Sequence, residues 1–197
     1  MSAPGLEPPR QRNAAATREA ILRAARARFL SDSYEGVGLR DIAGDACVDV
    51  ALVSRYFGGK EELFRQVLRG DGPGKLDDLP SAASLPHFLA DLAVEPKGGD
   101  RGEHVEKLLL ILRSASSPTA AGIVREAFRE DVLEPVAKLL DGPDAELRAS
   151  LSLTVLIGST ILNTIMAVGP MCDGGCEPVR TRLTRIFEAA LATNSRS

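Results

Sequence analysis

Apolar residues recur along this chain at three- and four-residue spacing, and no long stretch alternates apolar with polar positions, so the pattern predicts an all-α protein. Ile21, Ala25 and Phe29 fall at i, i+4 and i+8 with Leu22 beside them, which predicts a helix over residues 14–31. Gly36 and Gly38 break that pattern. A short helix follows over 39–46 with Ile42 and Ala43 inward. Cys47 and Val48 then make a tight turn. Asp49 is suited to cap the next short helix, Val50–Phe57, whose inward positions are Val53 and Phe57. Gly58-Gly59 ends it, and Lys60–Arg69 forms a fourth helix with Leu63, Phe64, Val67 and Leu68 on one face.

Residues 1–13 contain three prolines and no periodicity and read as a flexible arm. Residues 70–82 are rich in turn formers and mark a boundary, giving a small N-terminal domain over 14–70 and a larger one over 71–197. Five further helices are expected at about 84–94, 101–115, 118–141, 143–168 and 177–193, with Pro135 kinking the third of them. Residues 149–171 carry no formal charge, enough length to span a bilayer. Ser150, Ser152, Thr154, Ser159, Thr160, Asn163 and Thr164 interrupt them, and neither aromatic belt nor flanking basic cluster accompanies them. A buried core helix is expected instead of a membrane span. With Leu183, Ile186 and Leu191 of the last helix, it would build a four-helix bundle with a second copy of the chain.

Composition adds a charge asymmetry. The chain of 197 residues has a formal net charge of −3. Residues 1–70 carry 11 basic and 9 acidic side chains, whereas residues 71–197 carry 13 and 18. A basic head on an acidic body suits a nucleic-acid partner for the head. Three cysteines make no disulfide framework, and no apolar leader segment is visible, so a reducing cytoplasm is expected. Cys172 and Cys176 flank Asp-Gly-Gly, but two thiols without a nearby histidine make a poor metal site, so neither metal nor cofactor is expected. Gly58-Gly59-Lys60-Glu61 lacks the glycine spacing and hydroxyl of a phosphate-binding loop. With only His87 and His104, histidine-dependent catalysis has little material, and no enzyme is expected.

Two short helices joined by a tight turn and braced by longer ones form a helix-turn-helix, whose second helix lies in the major groove of DNA. The stretch Tyr34-Glu-Gly-Val-Gly-Leu-Arg-Asp-Ile-Ala43, then Cys47-Val48, Ala51-Leu-Val-Ser-Arg-Tyr-Phe57 and Lys60-Glu-Glu-Leu-Phe64 resembles the TetR/AcrR family of bacterial repressors over about residues 14–68. The resemblance implies a three-helix DNA-binding head, a larger helical domain that dimerises through its last two long helices, and a small-molecule effector pocket in that domain. It departs at three positions: Cys47 stands where the turn usually has Gly, Ser54 where Tyr is frequent, and Tyr56 where His is frequent.

On this resemblance Lys60 and Tyr56 are expected to meet DNA phosphates, Lys60 together with the helix N-terminus it opens. Arg40 and Arg55 are further candidate contacts, and Val50, Ala51 and Ser54 would face base edges. Arg10 and Arg12 read as a solvated tail. Phe88, Arg113, Phe128, Thr160 and Asn163 are candidates for the effector pocket because each falls on an inward or mixed helix face. The expected partners are double-stranded operator DNA, a second copy of the chain and an unidentified effector. The competing reading is a helical interaction module that no longer binds DNA; it predicts no salt-sensitive affinity for a duplex.

Overall fold

The computed structural model describes residues 9–70, 80–94, 100–114, 117–168 and 176–193, and among them every regular element is helical. They form two compact units, one made of residues up to 71 with 109–124, the other of 72–108 with 125–197.

The first unit begins with α1 (Pro9–Ser31). It starts five residues earlier than the sequence pattern predicts, so residues 9–13 are helical where an arm is expected. Proline at a helix start loses nothing, because the first N–H groups have no partner within the helix. The helix-turn-helix is α2 (Leu39–Asp45) and α3 (Val50–Phe57), followed by α4 (Lys60–Arg69). Ile21, Ala25, Phe29, Ile42, Val53, Phe57, Leu63 and Phe64 are all buried and form its core. Phe29 and Phe64 meet edge to face at 4.8 Å, and Tyr34 adds a second edge contact to Phe64 at 5.1 Å. The C-terminal part of α6 (Asp100–Ser114) and the start of α7 (Pro118–Phe128) belong to this unit as well. There Arg113 donates to the Ser31 carbonyl at 2.9 Å, satisfying an orphan acceptor at the end of α1. The Ser117 hydroxyl donates to the Glu35 carboxylate and accepts the Ala120 N–H at 3.0 Å.

The second unit gathers α5 (Leu85–Val94), α8 (Glu134–Lys138), α9 (Ala145–Thr160) and α10 (Cys176–Leu191) around Leu85, Leu89, Ala93, Val136, Leu153 and Phe187. The helix expected over 118–141 is interrupted by a π-helical turn, Arg129–Leu133, in which the Glu134 N–H reaches five residues back to the Arg129 carbonyl. Pro135 follows directly; having no N–H, it cannot continue the ordinary ladder, and the wider turn absorbs the break. A second π-helical turn, Ile161–Ile165, follows α9, and the chain leaves it through Ala167 at φ +49°. Ala145–Ile165 is long and apolar enough to cross a membrane by length and composition. It packs on α5, α8 and α10 through one side, where Arg148, Ala149, Ser152 and Leu153 are buried, while Leu147 and Leu151 stay exposed. Cys172 lies outside the described residues, and so does the side chain of Cys176.

Arg148 is 7% exposed, and carbonyls rather than carboxylates receive it. Its guanidinium donates to the carbonyls of Pro143 at 3.2 Å, Leu191 at 2.9 Å and Asp141 at 2.5 Å, tying the end of α10 to the loop before α9. Five donors in a planar fork suit three divergent acceptors, which a lysine's single ammonium cannot reach together. Arg148→Met is therefore expected to lower the unfolding free energy by roughly 1–3 kcal/mol, because the buried bond to Leu191 and the part-buried bonds to Pro143 and Asp141 lose their donor. Urea denaturation followed by circular dichroism measures this, and Arg148→Lys should recover only part of the deficit.

Candidate nucleic-acid interface

An eight-residue helix has too few internal hydrogen bonds to persist alone, so α3 is held from one side and one end. Val53 and Phe57 anchor its inner side at 0% and 2% exposure. The Arg18 guanidinium covers the outer face of the Phe57 ring at 5.4 Å and donates to Gln66 of α4, fastening α1, α3 and α4 together. At the N-terminal end the Asp49 carboxylate accepts the Ala51 N–H at 2.7 Å, which satisfies one of the donors a helix start leaves open.

The turn into α3 runs through Cys47 at φ +53°, a left-handed conformation that costs a residue with a Cβ about 1–2 kcal/mol. Its amide and that of Val48 donate to the carbonyls of Gly44 and Ala43, so both turn amides are satisfied despite the strain. The helix before it is placed by Gly38, whose N–H donates to the Asp41 carboxylate at 3.2 Å. A Cβ at Gly38 would stand 2.8 Å from that oxygen. Arg28 of α1 grips the Asp45 carboxylate of α2 through two nitrogens, one at 2.5 Å and one at 2.8 Å. The bond from Arg28 holds the Asp45 carboxyl below the usual carboxylate range, and Asp45 in turn raises Arg28.

Within this frame Val50, Ala51, Ser54 and Arg55 are exposed and Tyr56 is half-buried, all on α3, while Arg40 is exposed on α2. These candidate contacts share one surface element with its neighbour. Arg55 lies over the Tyr56 ring at 5.9 Å. Lys60 is more enclosed than a solvated lysine. Its ammonium sits 4.4 Å from the Tyr34 ring centre and donates to the Glu35 carbonyl at 3.4 Å. Burial pushes its pKa down, and the Glu35 charge partly offsets this. Lys60 also borders an open cleft of about 850 Å³ whose walls include Tyr34, Glu35, Phe57 and Thr119. The side chains of Arg10 and Arg12 lie outside the described residues.

Four of the five effector candidates lie in the second unit. Phe88 and Phe128 are half-buried against the core of the second unit, the Thr160 hydroxyl donates to the Leu156 carbonyl at 3.0 Å, and Asn163 reaches the Ala93 carbonyl at 3.5 Å. Arg113 belongs to the first unit, exposed and bonded to the Ser31 carbonyl. Helical periodicity marks a face but not the neighbour it meets, and nothing local signals a bond across 82 positions. The same holds for Arg28, Arg18 and Ser117, whose contacts the sequence pattern missed.

Two family models match the chain: "Bacterial regulatory proteins, tetR family" over residues 21–67 and "Tetracyclin repressor-like, C-terminal domain" over residues 87–191. No curated protein matches it. Among solved structures, a TetR-family regulator from Streptomyces coelicolor is 28% identical, with a TM-score of 0.51, covering 95% of this chain and 99% of that one. NalD of Pseudomonas aeruginosa, the secondary repressor of the MexAB-OprM multidrug efflux pump, is 20% identical with a TM-score of 0.64, covering 86% and 95%. The multidrug-binding protein EbrR, solved with ethidium, is 24% identical with a TM-score of 0.60, covering 86% and 98%.

Two outcomes check the local physics. Cys47→Gly removes the left-handed strain at a smaller cost in chain entropy, so a melting experiment should show stabilisation of up to about 1 kcal/mol; destabilisation would contradict the strain. For Asp45, a depressed folded-state pKa means its contribution is present above the unfolded value of about 3.9 and is lost as pH falls through the folded value. Wild type should therefore exceed Asp45→Asn in stability at neutral pH, and thermal melts of the two should converge in acid below the usual carboxylate range.

Proposed function

The chain belongs to the tetR family of bacterial regulatory proteins, and we propose that it is a dimeric repressor that holds operator DNA through α3 and releases it on binding a small molecule. The observation that carries the DNA half is the α2–α3 pair itself. Its inner residues are shut in a core, the N-cap of α3 is closed by Asp49, and the exposed side chains of α3 are Val50, Ala51, Ser54 and Arg55, small or cationic. A helix so presented enters a major groove ~12 Å wide, with its partner helix across the phosphates. Val50, Ala51 and Ser54 face base edges in this reading, while Arg40, Arg55, Tyr56 and Lys60 meet the backbone. Lys60 reaches phosphate with the open N–H groups of α4, its ammonium placed by the Tyr34 ring and the Glu35 carbonyl.

The dimer rests on a separate observation. Leu147, Leu151, Leu162 and Met166 are 45–57% exposed on α9 and the π-helical turn after it, and Ile186 is 47% exposed on α10. The spacing of the first four, with Gly158 between them, describes one stripe along the helix. Only 28% of the most apolar 18-residue stretch within Ala145–Ile165 is buried within the chain, so an apolar face remains for a second copy. Two heads are needed because one short helix reads only a few base pairs.

Phe88, Phe128, Thr160 and Asn163 of the second unit remain the residues proposed to face an effector, which differential affinity for the two states would couple to DNA release. EbrR, bound to ethidium, shows a similar chain with such a ligand. A protein that acts on operator DNA in bacteria works in the cytoplasm.

Lys60→Ala should weaken retention of all duplexes alike and reduce the slope of log affinity against log salt by about 0.9 for each phosphate left unneutralised. A changed sequence preference at unchanged affinity would contradict the phosphate role. Leu151→Asp should convert the dimer to monomer in analytical ultracentrifugation, and an unchanged sedimentation coefficient would rule against this face.

A further inference from the structure

The first turn of α3 offers DNA an apolar patch. Val50 is 37% exposed although Val53 and Phe57 on the same helix are shut away, and Ala51 and Ser54 beside it are exposed too. The Asp49 carboxylate caps Ala51, and the Arg55 guanidinium lies over Tyr56 in the last turn. This end of the helix therefore presents methyl groups and one hydroxyl, with no long donor or acceptor of its own.

In the major groove the edges of guanine, cytosine and adenine are hydrogen-bonding groups, whereas thymine alone adds a methyl at C5. A valine pressed against a donor or acceptor edge strips its water and returns no bond, which is costly; against a methyl, both sides gain by losing water. Resting on the reading of α3 as the helix that enters the groove, we propose that Val50 and Ala51 select thymine through its 5-methyl group, so that each half-site carries at least one thymine whose methyl lies on this patch.

Deoxyuridine differs from thymidine only by that methyl and keeps the same hydrogen-bonding edge. Duplexes would be selected by the full-length protein from a random-sequence pool, and the tightest one resynthesised with deoxyuridine replacing thymidine one position at a time. Fluorescence anisotropy should show affinity falling roughly fourfold at each contacted position, the worth of one methyl taken out of water. The slope of affinity against salt should not change. Val50→Ser should bind the thymidine and deoxyuridine duplexes nearly alike at the position beneath it, with the helical circular-dichroism spectrum of the wild type retained. Equal affinity of wild type for both duplexes would overturn the proposal. So would a preference that persists undiminished in Val50→Ser, which would assign the effect to duplex stiffness. If no duplex is retained at any salt concentration, the DNA-binding reading itself fails, and this proposal with it.

Discussion

The burial of Val53 and Phe57 is the interaction on which the head depends. Eight residues of helix cannot pay the entropy of their own ordering, so α3 exists only as far as its inner side is held. Burying a side chain of this size contributes about 1.5–3 kcal/mol, more than the Asp49 cap adds at the helix start. Phe57 also closes the circuit between elements, because Arg18 of α1 covers its ring and bonds to Gln66 of α4. Everything that faces outward, from Val50 to Tyr56, takes its direction from that inward anchor.

A second layer of constraint lies around the turn after α1. Tyr34 packs on Phe29 and Phe64, Lys60 stands on the Tyr34 ring, and the residues on either side, Ser31 and Glu35, receive hydrogen bonds from Arg113 and Ser117. The proposed phosphate-binding ammonium is thus set by the same short segment that the end of α6 and the start of α7 hold. In the second unit, Arg148 does comparable work with three carbonyls, and the apolar stripe from Leu147 to Met166 is left uncovered.

Much of the head was legible in the sequence because its information is local. Capping by Asp49, the apolar pairs Val53–Phe57 and Leu63–Val67, and the glycine pair after Phe57 each act within a few residues. Even the strain at Cys47 follows from a side chain standing in a turn that demands a left-handed residue. What could not be read was long-range. Arg113 sits on a helix face of mixed character, and only the folded chain shows that Ser31 receives it. Pro135 announced a break, but whether the chain would bend or widen into a π-helical turn depended on packing beyond its neighbours. The helix start at Pro9 eluded periodicity because a polar, proline-rich stretch carries no apolar repeat to follow.

The central claim is that the α2–α3 face binds DNA specifically. Its most direct test is gel retardation of fragments flanking the gene, with unlabelled competitor duplex, over a series of salt concentrations. The account predicts that one fragment is retained against competitor and that its affinity falls steeply with salt, as an interface built on several phosphate contacts requires. Absence of any retention, even at the lowest salt, would contradict it and favour a helical module that acts through protein partners alone.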